Sequence, residues 1–89
     1  MITDKDKKII LEIARRYRAT RVVLFGSALS GTAESRDIDL AVEGVADKDF
    51  YAFYGDLMCE LSKPVDIIDL SIKSKFTDMV LQEGVPLNA

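Results

Sequence analysis

The sequence has no histidine, no tryptophan, a single cysteine (Cys59) and two prolines among its 89 residues. Without histidine, nucleophilic triads that use an imidazole base and His-containing zinc sites are excluded within this chain. One cysteine excludes an internal disulfide framework. Cys59 lies inside an apolar helical pattern, and free cysteine is among the most buried residue types, so it is expected to be a small core residue rather than a reactive thiol. No stretch approaches the roughly 18 to 20 consecutive apolar residues of a membrane span. The N-terminal Met1-Ile2-Thr3-Asp4-Lys5-Asp6 also lacks the charged-then-apolar layout of a signal peptide. These absences point to a cytoplasmic protein with no membrane partner, whose chemistry rests on carboxylates, with or without a hard metal, helped by Ser, Lys and Arg.

The composition that remains, 48% hydrophobic and 30% charged, is that of a soluble globular chain and not of a disordered one. Its length suits a single domain, residues 1–89, with one compact core. The net charge of -3 hides an asymmetry: residues 1–21 carry seven basic side chains against three acidic ones, and residues 34–89 carry five basic against twelve acidic. Nucleic-acid affinity comes mainly from Lys and Arg neutralising phosphates, so nucleic acid is not expected as a direct substrate. The basic first helix reads as a solvated face or as a surface for an acidic partner.

Thr3 followed by Asp6 resembles a capping box with Asp in place of Glu, and Ile9, Ile10, Ile13, Ala14 and Tyr17 recur at helical spacing. A helix is therefore predicted over 4–18. Arg21-Val22-Val23-Leu24-Phe25 reads as a buried strand ended by Gly26, and residues 26–35 as a small, polar loop. Asp37-Ile38-Asp39-Leu40-Ala41-Val42 suits a strand with one exposed end. Asp47 is expected to cap the next helix, whose apolar face is Phe50, Phe53, Tyr54, Leu57, Met58 and Leu61, ended by Lys63-Pro64. Residues 65–70 form a third predicted strand, and Ile72, Phe76, Met79 and Val80 mark a last helix stopped by Gly84 and Pro86. The order α-β-loop-β-α-β-α predicts a small two-layer α/β domain.

Asp37 and Asp39 are two apart on a predicted strand, so both carboxylates leave the same face. Two like charges so close repel, and a cation removes the repulsion; Mg²⁺ suits a carboxylate pair that also receives substrate phosphates. Asp66, near the start of the third strand, can bring a third carboxylate to that site, whereas Asp69 should face the other way. Asp is disfavoured in strands, and three of them at strand starts need a compensating function. Gly26-Ser27 follows the first strand directly, where a glycine lets the backbone approach a phosphate and the next amides and hydroxyl donate to it.

Leu24-Phe25-Gly26-Ser27, nine intervening residues, then Asp37-Ile38-Asp39-Leu40 together resemble the signature of the DNA polymerase beta-type nucleotidyltransferases, and in particular the minimal nucleotidyltransferase (MNT) domains. The resemblance extends through Pro64-Val65-Asp66-Ile67-Ile68-Asp69-Leu70 to Glu83-Gly84-Val85-Pro86-Leu87. It implies an α+β nucleotidyltransferase fold with a small mixed sheet and helices packed on it. It further implies ATP or another nucleoside triphosphate as donor, two Mg²⁺ ions (or Mn²⁺), and transfer of a nucleoside monophosphate to a hydroxyl. On this resemblance Gly26 and Ser27 hold the triphosphate, Asp37 and Asp39 bind both metals, and Asp66 helps bind the metal that activates the attacking hydroxyl and receives its proton. Two departures stand out. The spacing is one residue shorter than is usual, and Arg36 occupies a place where Ser is common; Arg36 either contacts the donor phosphates or offsets the charge of Asp37 and Asp39.

Larger relatives carry an additional domain for the acceptor. The resemblance therefore implies an accessory polypeptide, a HEPN-type helical toxin whose tyrosine receives AMP in a toxin–antitoxin system, or a second copy of the chain. A binding module that neutralises or scaffolds the partner without turnover is the alternative, and transfer to a small molecule such as an antibiotic is a third reading. The aromatics Tyr17, Phe50, Tyr51, Phe53, Tyr54 and Phe76 fall on predicted helices. They exceed what so small a domain hides, so an exposed apolar patch is expected.

Overall fold

Residues 2–26 and 37–88 are described by the computed structural model. Helix α1 (Asp4–Arg16) starts where Thr3, in an extended conformation, accepts a hydrogen bond from the Asp6 amide at 3.1 Å. The reciprocal half of the expected capping box is absent. The Asp6 carboxylate is buried and instead accepts from the amide and hydroxyl of Ser62, tying the start of α1 to the turn after the second helix. The helix ends two residues sooner than its periodicity suggested: Tyr17 caps it, and Arg18 takes a left-handed conformation (φ 62°).

Strands β1 (Arg21–Phe25), β2 (Ile38–Glu43), β3 (Val65–Asp69) and the two-residue β4 (Val85–Pro86) form one sheet in the order β3-β2-β1-β4. β1 is antiparallel to β2 and β4, and β2 is parallel to β3, so the sheet is mixed. β4 was not anticipated from sequence. It reaches β1 because Gly84 has no side chain: a Cβ there would overlap Val23 and crowd the Val80 carbonyl oxygen. Asn88 extends the same edge with its side chain, accepting from the Val22 amide at 3.1 Å and donating to the Thr20 carbonyl at 3.2 Å.

Helix α2 (Phe50–Glu60) follows a single 3-10 turn, Asp47–Asp49. Asp47 therefore opens that turn and does not cap α2; neither it nor Asp49, at the cap position, is matched by a side-chain cap bond. The α+β, two-layer arrangement expected from the sequence holds the main core. Ile10, Ile13 and Ala14 of α1 and Phe53 and Leu57 of α2 bury Val22, Leu24, Ile38, Leu40 and Val42 on one face of the sheet. Helix α3 (Lys75–Glu83), capped reciprocally by Ser74 and Thr77, covers part of the reverse face, where Val80 packs with Val23, Ala41 and Leu70.

Several expected core residues lie outside it. Cys59 is exposed, because at 3.6 residues per turn it points away from Phe53 and Leu57. Met58, Ile72, Phe76 and Met79 are also exposed, and Thr77 takes a buried place on α3. Of the six helix-borne aromatics, only Phe53 is fully buried, while Tyr51 stands 89% exposed. Among the described residues no helix is long and apolar enough to cross a membrane.

Candidate active site

The alternation of β2 sends Ile38, Leu40 and Val42 into the core beneath α1 and α2 and leaves Asp39 and Ala41 for the reverse face, while Asp37, expected to open the strand, lies in a bend just before it. β3 lies parallel to β2 with Asp66 directly beside Asp39 and Val65 beside Ile38. Asp39 and Asp66 therefore leave adjacent strands on the same face. On the other side of Asp39 its partner is Phe25, the last residue of β1. Asp37 stands exposed at the mouth of β2.

Gly26 completes this edge. Its φ of +75° belongs to the left-handed region that glycine adopts without cost, and a Cβ at this position would overlap Oδ2 of Asp39. Glycine is thus required twice over, for backbone conformation and for room beside a carboxylate. Ser27 and Arg36 lie outside the described residues.

Electrostatics agree with the packing. The Asp39 carboxyl is pushed above its ordinary range, first by partial burial and then by the negative charges of Asp66 and Asp37. Partial burial and two like-charged neighbours thus disfavour the ionised form of Asp39. A divalent cation removes this penalty, and Mg²⁺ is commonly held by one or two carboxylates with substrate phosphates completing its shell. Among the described residues no three potential ligands converge into a ready-made cage. The neighbouring carboxylates of Asp39 and Asp66 are a donor set that fits a divalent ion sharing its shell with phosphates.

Asp69 takes no part. It pairs with Val42, which places it on the opposite face from Asp66, and its carboxylate accepts from the amide and hydroxyl of Ser71 at 2.9 and 2.7 Å to shape the turn after β3. Tyr54, expected only as a packing or interface residue, has a further position. Its hydroxyl donates to the Val65 carbonyl at 2.8 Å, so α2 is fastened to the residue before Asp66. Its phenol is shifted upward, first by burial and then by the nearby Asp66 charge. No spacing rule in the sequence announces that contact, because it joins a helix to a strand end. A cleft of about 320 Å³ between α1 and the C-terminal segment, lined by Leu11, Ala14, Arg15, Ala19, Leu87 and Asn88, lies apart from the carboxylates and contains no acidic side chain.

The sequence model of the family described as polymerase beta, nucleotidyltransferase, matches residues 7–88. The chain belongs to that nucleotidyltransferase family. Several solved structures share its fold. A chain of a toxin–antitoxin complex with AMP-PNP superposes with a TM-score of 0.76 at 24% identity, over 93% of this chain and 73% of the other. A minimal nucleotidyltransferase gives a TM-score of 0.74 at 29% identity, over 90% and 87%. A complex from Shewanella oneidensis of a tri-AMPylated HEPN toxin with its MNT antitoxin gives 0.72 at 22% identity, over 94% and 70%. No curated protein sequence matches significantly. The nucleotidyltransferase resemblance and the mixed-sheet fold expected from it are thereby established.

Proposed function

We propose that this chain transfers AMP from ATP to a hydroxyl acceptor, a tyrosine of a HEPN-type toxin partner, and so acts as the antitoxin of a toxin–antitoxin pair. The observation that carries the reading is the in-register pair Asp39–Asp66 beside a glycine whose missing Cβ leaves space at Asp39 Oδ2. Similarity to a chain solved with AMP-PNP and to an MNT antitoxin in complex with an AMPylated HEPN toxin supports the donor, the acceptor and the partner.

In this reading Asp37, Asp39 and Asp66 hold Mg²⁺, or Mn²⁺ in its place, and Gly26 and Ser27 take the triphosphate. When bound, the two ions neutralise phosphate charge and stabilise the attacking and leaving oxygens. The chain's own groups do the positioning. Asp39 is flanked by Phe25 and Asp66, with room beside it left by Gly26, and Tyr54 secures the backbone before Asp66. The acceptor oxygen bonds to the α-phosphorus as the bond to the bridging oxygen breaks. Pyrophosphate leaves, and the hydroxyl proton passes to Asp66. Such phosphoryl chemistry depends on orientation and charge neutralisation, so the absence of histidine from the sequence is no obstacle.

Incubation with ATP labelled at the α-phosphate, Mg²⁺ and the HEPN-type product of a neighbouring gene tests this directly. Label on a tyrosine of the partner, lost with Asp39→Asn, is expected. A stable complex without label transfer overturns the enzymatic reading in favour of a binding module. That alternative draws on the exposed apolar side chains Tyr51, Met58 and Ile72.

A further inference from the structure

The face that carries Asp39 and Asp66 continues into aromatic surface. Register places Asp66, Asp39 and Phe25 side by side on β3, β2 and β1. Directly opposed side chains in antiparallel neighbours, as Asp39 and Phe25 are, have Cβ atoms about 4.5–5.5 Å apart. The next member of the row comes from α3: Phe76 meets Phe25 edge-to-face, with ring centroids 6.0 Å apart and planes at 79°. Phe76 is nevertheless 48% exposed. Its contact with Phe25 orients the ring without covering it, and that leaves aromatic surface in solvent at one end of a row whose other end is two carboxylates.

Nothing about the fold's stability requires this exposure. α3 is already anchored by buried Val80 and by the Ser74–Thr77 cap. Exposed aromatic surface held by a second ring is a stacking platform, and every nucleobase offers a π-face to one. We propose that Phe76, oriented by Phe25, is the platform for the base of the donor nucleotide. The base lies toward α3 while the α-phosphate lies at Asp39. This rests on the nucleotidyltransferase reading and adds to it a base-binding residue. Stacking is tolerant of base identity, so Phe76 strengthens binding of ATP and GTP alike and does not select between them.

The test is calorimetric titration of the intact chain, in Mg²⁺, with ATP, GTP and inorganic tripolyphosphate as the base-free probe. The wild-type protein should bind ATP and GTP more tightly than tripolyphosphate. Phe76→Ala should weaken both nucleotides by roughly 5- to 150-fold and leave tripolyphosphate unchanged. Phe76→Leu, which retains an apolar contact with Phe25, guards against misfolding and should also lose nucleotide affinity, with an unchanged thermal midpoint. Unaltered ATP affinity in a folded Phe76 variant overturns the proposal and assigns the exposed ring to protein contacts. Equal weakening of ATP and tripolyphosphate also overturns it, since Phe76 would then act by positioning Asp39 through Phe25. Wild-type protein that binds tripolyphosphate as tightly as ATP refutes the platform alone, whereas failure to bind any of the three with metal refutes the nucleotidyltransferase reading beneath it.

Discussion

Asp39 sits directly between Phe25 and Asp66, an aromatic ring on one side and a second carboxylate on the other. Apolar crowding and like charge act on it in the same direction, and both disfavour its ionised form. A carboxylate held this way is a local cost to the fold while it is ionised.

The first prediction is a pH-dependent stability effect. Because the Asp39 carboxyl titrates higher in the folded chain than in the unfolded one, the folded state retains a proton that the unfolded state has lost. Stability from this group is present below the ordinary Asp value near ~3.9 and falls as pH rises through the folded value. Asp39→Asn removes that loss. Near neutral pH without divalent cation, the variant should melt a few degrees above the parent, and the gap should close toward about pH 4. Thermal melts across this range check it; a gap that does not change with pH contradicts the cause.

Asp66→Asn should reduce transfer far more than Asp69→Asn, because Asp69 faces the other side of the sheet and is engaged by Ser71. Label transfer from ATP to the partner, measured on both variants, reads the difference. Equal losses in two folded variants would mean that the face assignment does not govern function.

Gly26→Ala combines a left-handed backbone with an overlap at Asp39 Oδ2. A side chain in this region costs about 1–3 kcal/mol, and displacement of the carboxylate should reduce transfer by about 10²-fold. Stability and label transfer, measured on the same preparation, should both fall; full activity would show that Asp39 can move aside without consequence.

Asn88→Ala removes the acceptor for the Val22 amide and the donor to Thr20. A loss of about 1 kcal/mol is expected in urea unfolding, without any change in ATP affinity, since these contacts lie on the β4 side of the sheet. A larger effect on binding than on stability would link that edge to the site.

Cys59 should react stoichiometrically with a thiol reagent in the native protein, at a rate unaffected by low urea, because it is exposed on α2. Reaction only on unfolding would mean that the helix is rotated toward the core.

Much of this fold is legible in the residue pattern because the signals are local. Arg21–Phe25 is short, apolar and β-branched, and it forms β1 at the expected bounds. Thr3 begins α1 as its side-chain chemistry requires. Expectations failed where an apolar residue was assigned to the core by type alone: Cys59 and Met58 share a helix with Phe53 but not its direction, and Ile72 precedes α3 altogether. They failed again where a local pairing competed with a distant one, as when Asp6 binds Ser62 in place of its own helix terminus.

What the amino-acid order determined by itself is the identity of β1, β2 and β3 and the two-residue period that turns Asp39 away from Ile38 and Leu40, since side-chain alternation is a property of a single extended chain. The nearness of Asp66 to Asp39 is of another kind. It follows from the parallel register of β2 and β3, which the intervening α2 sets by burying Phe53 and Leu57 and by holding Val65 through Tyr54. The need for glycine at position 26, the return of β4 over Gly84, and the row from Asp66 to Phe76 likewise arise only when separate segments share space. Periodicity assigns each side chain to a face of its own element, but only packing between elements decides which side chains become neighbours across them.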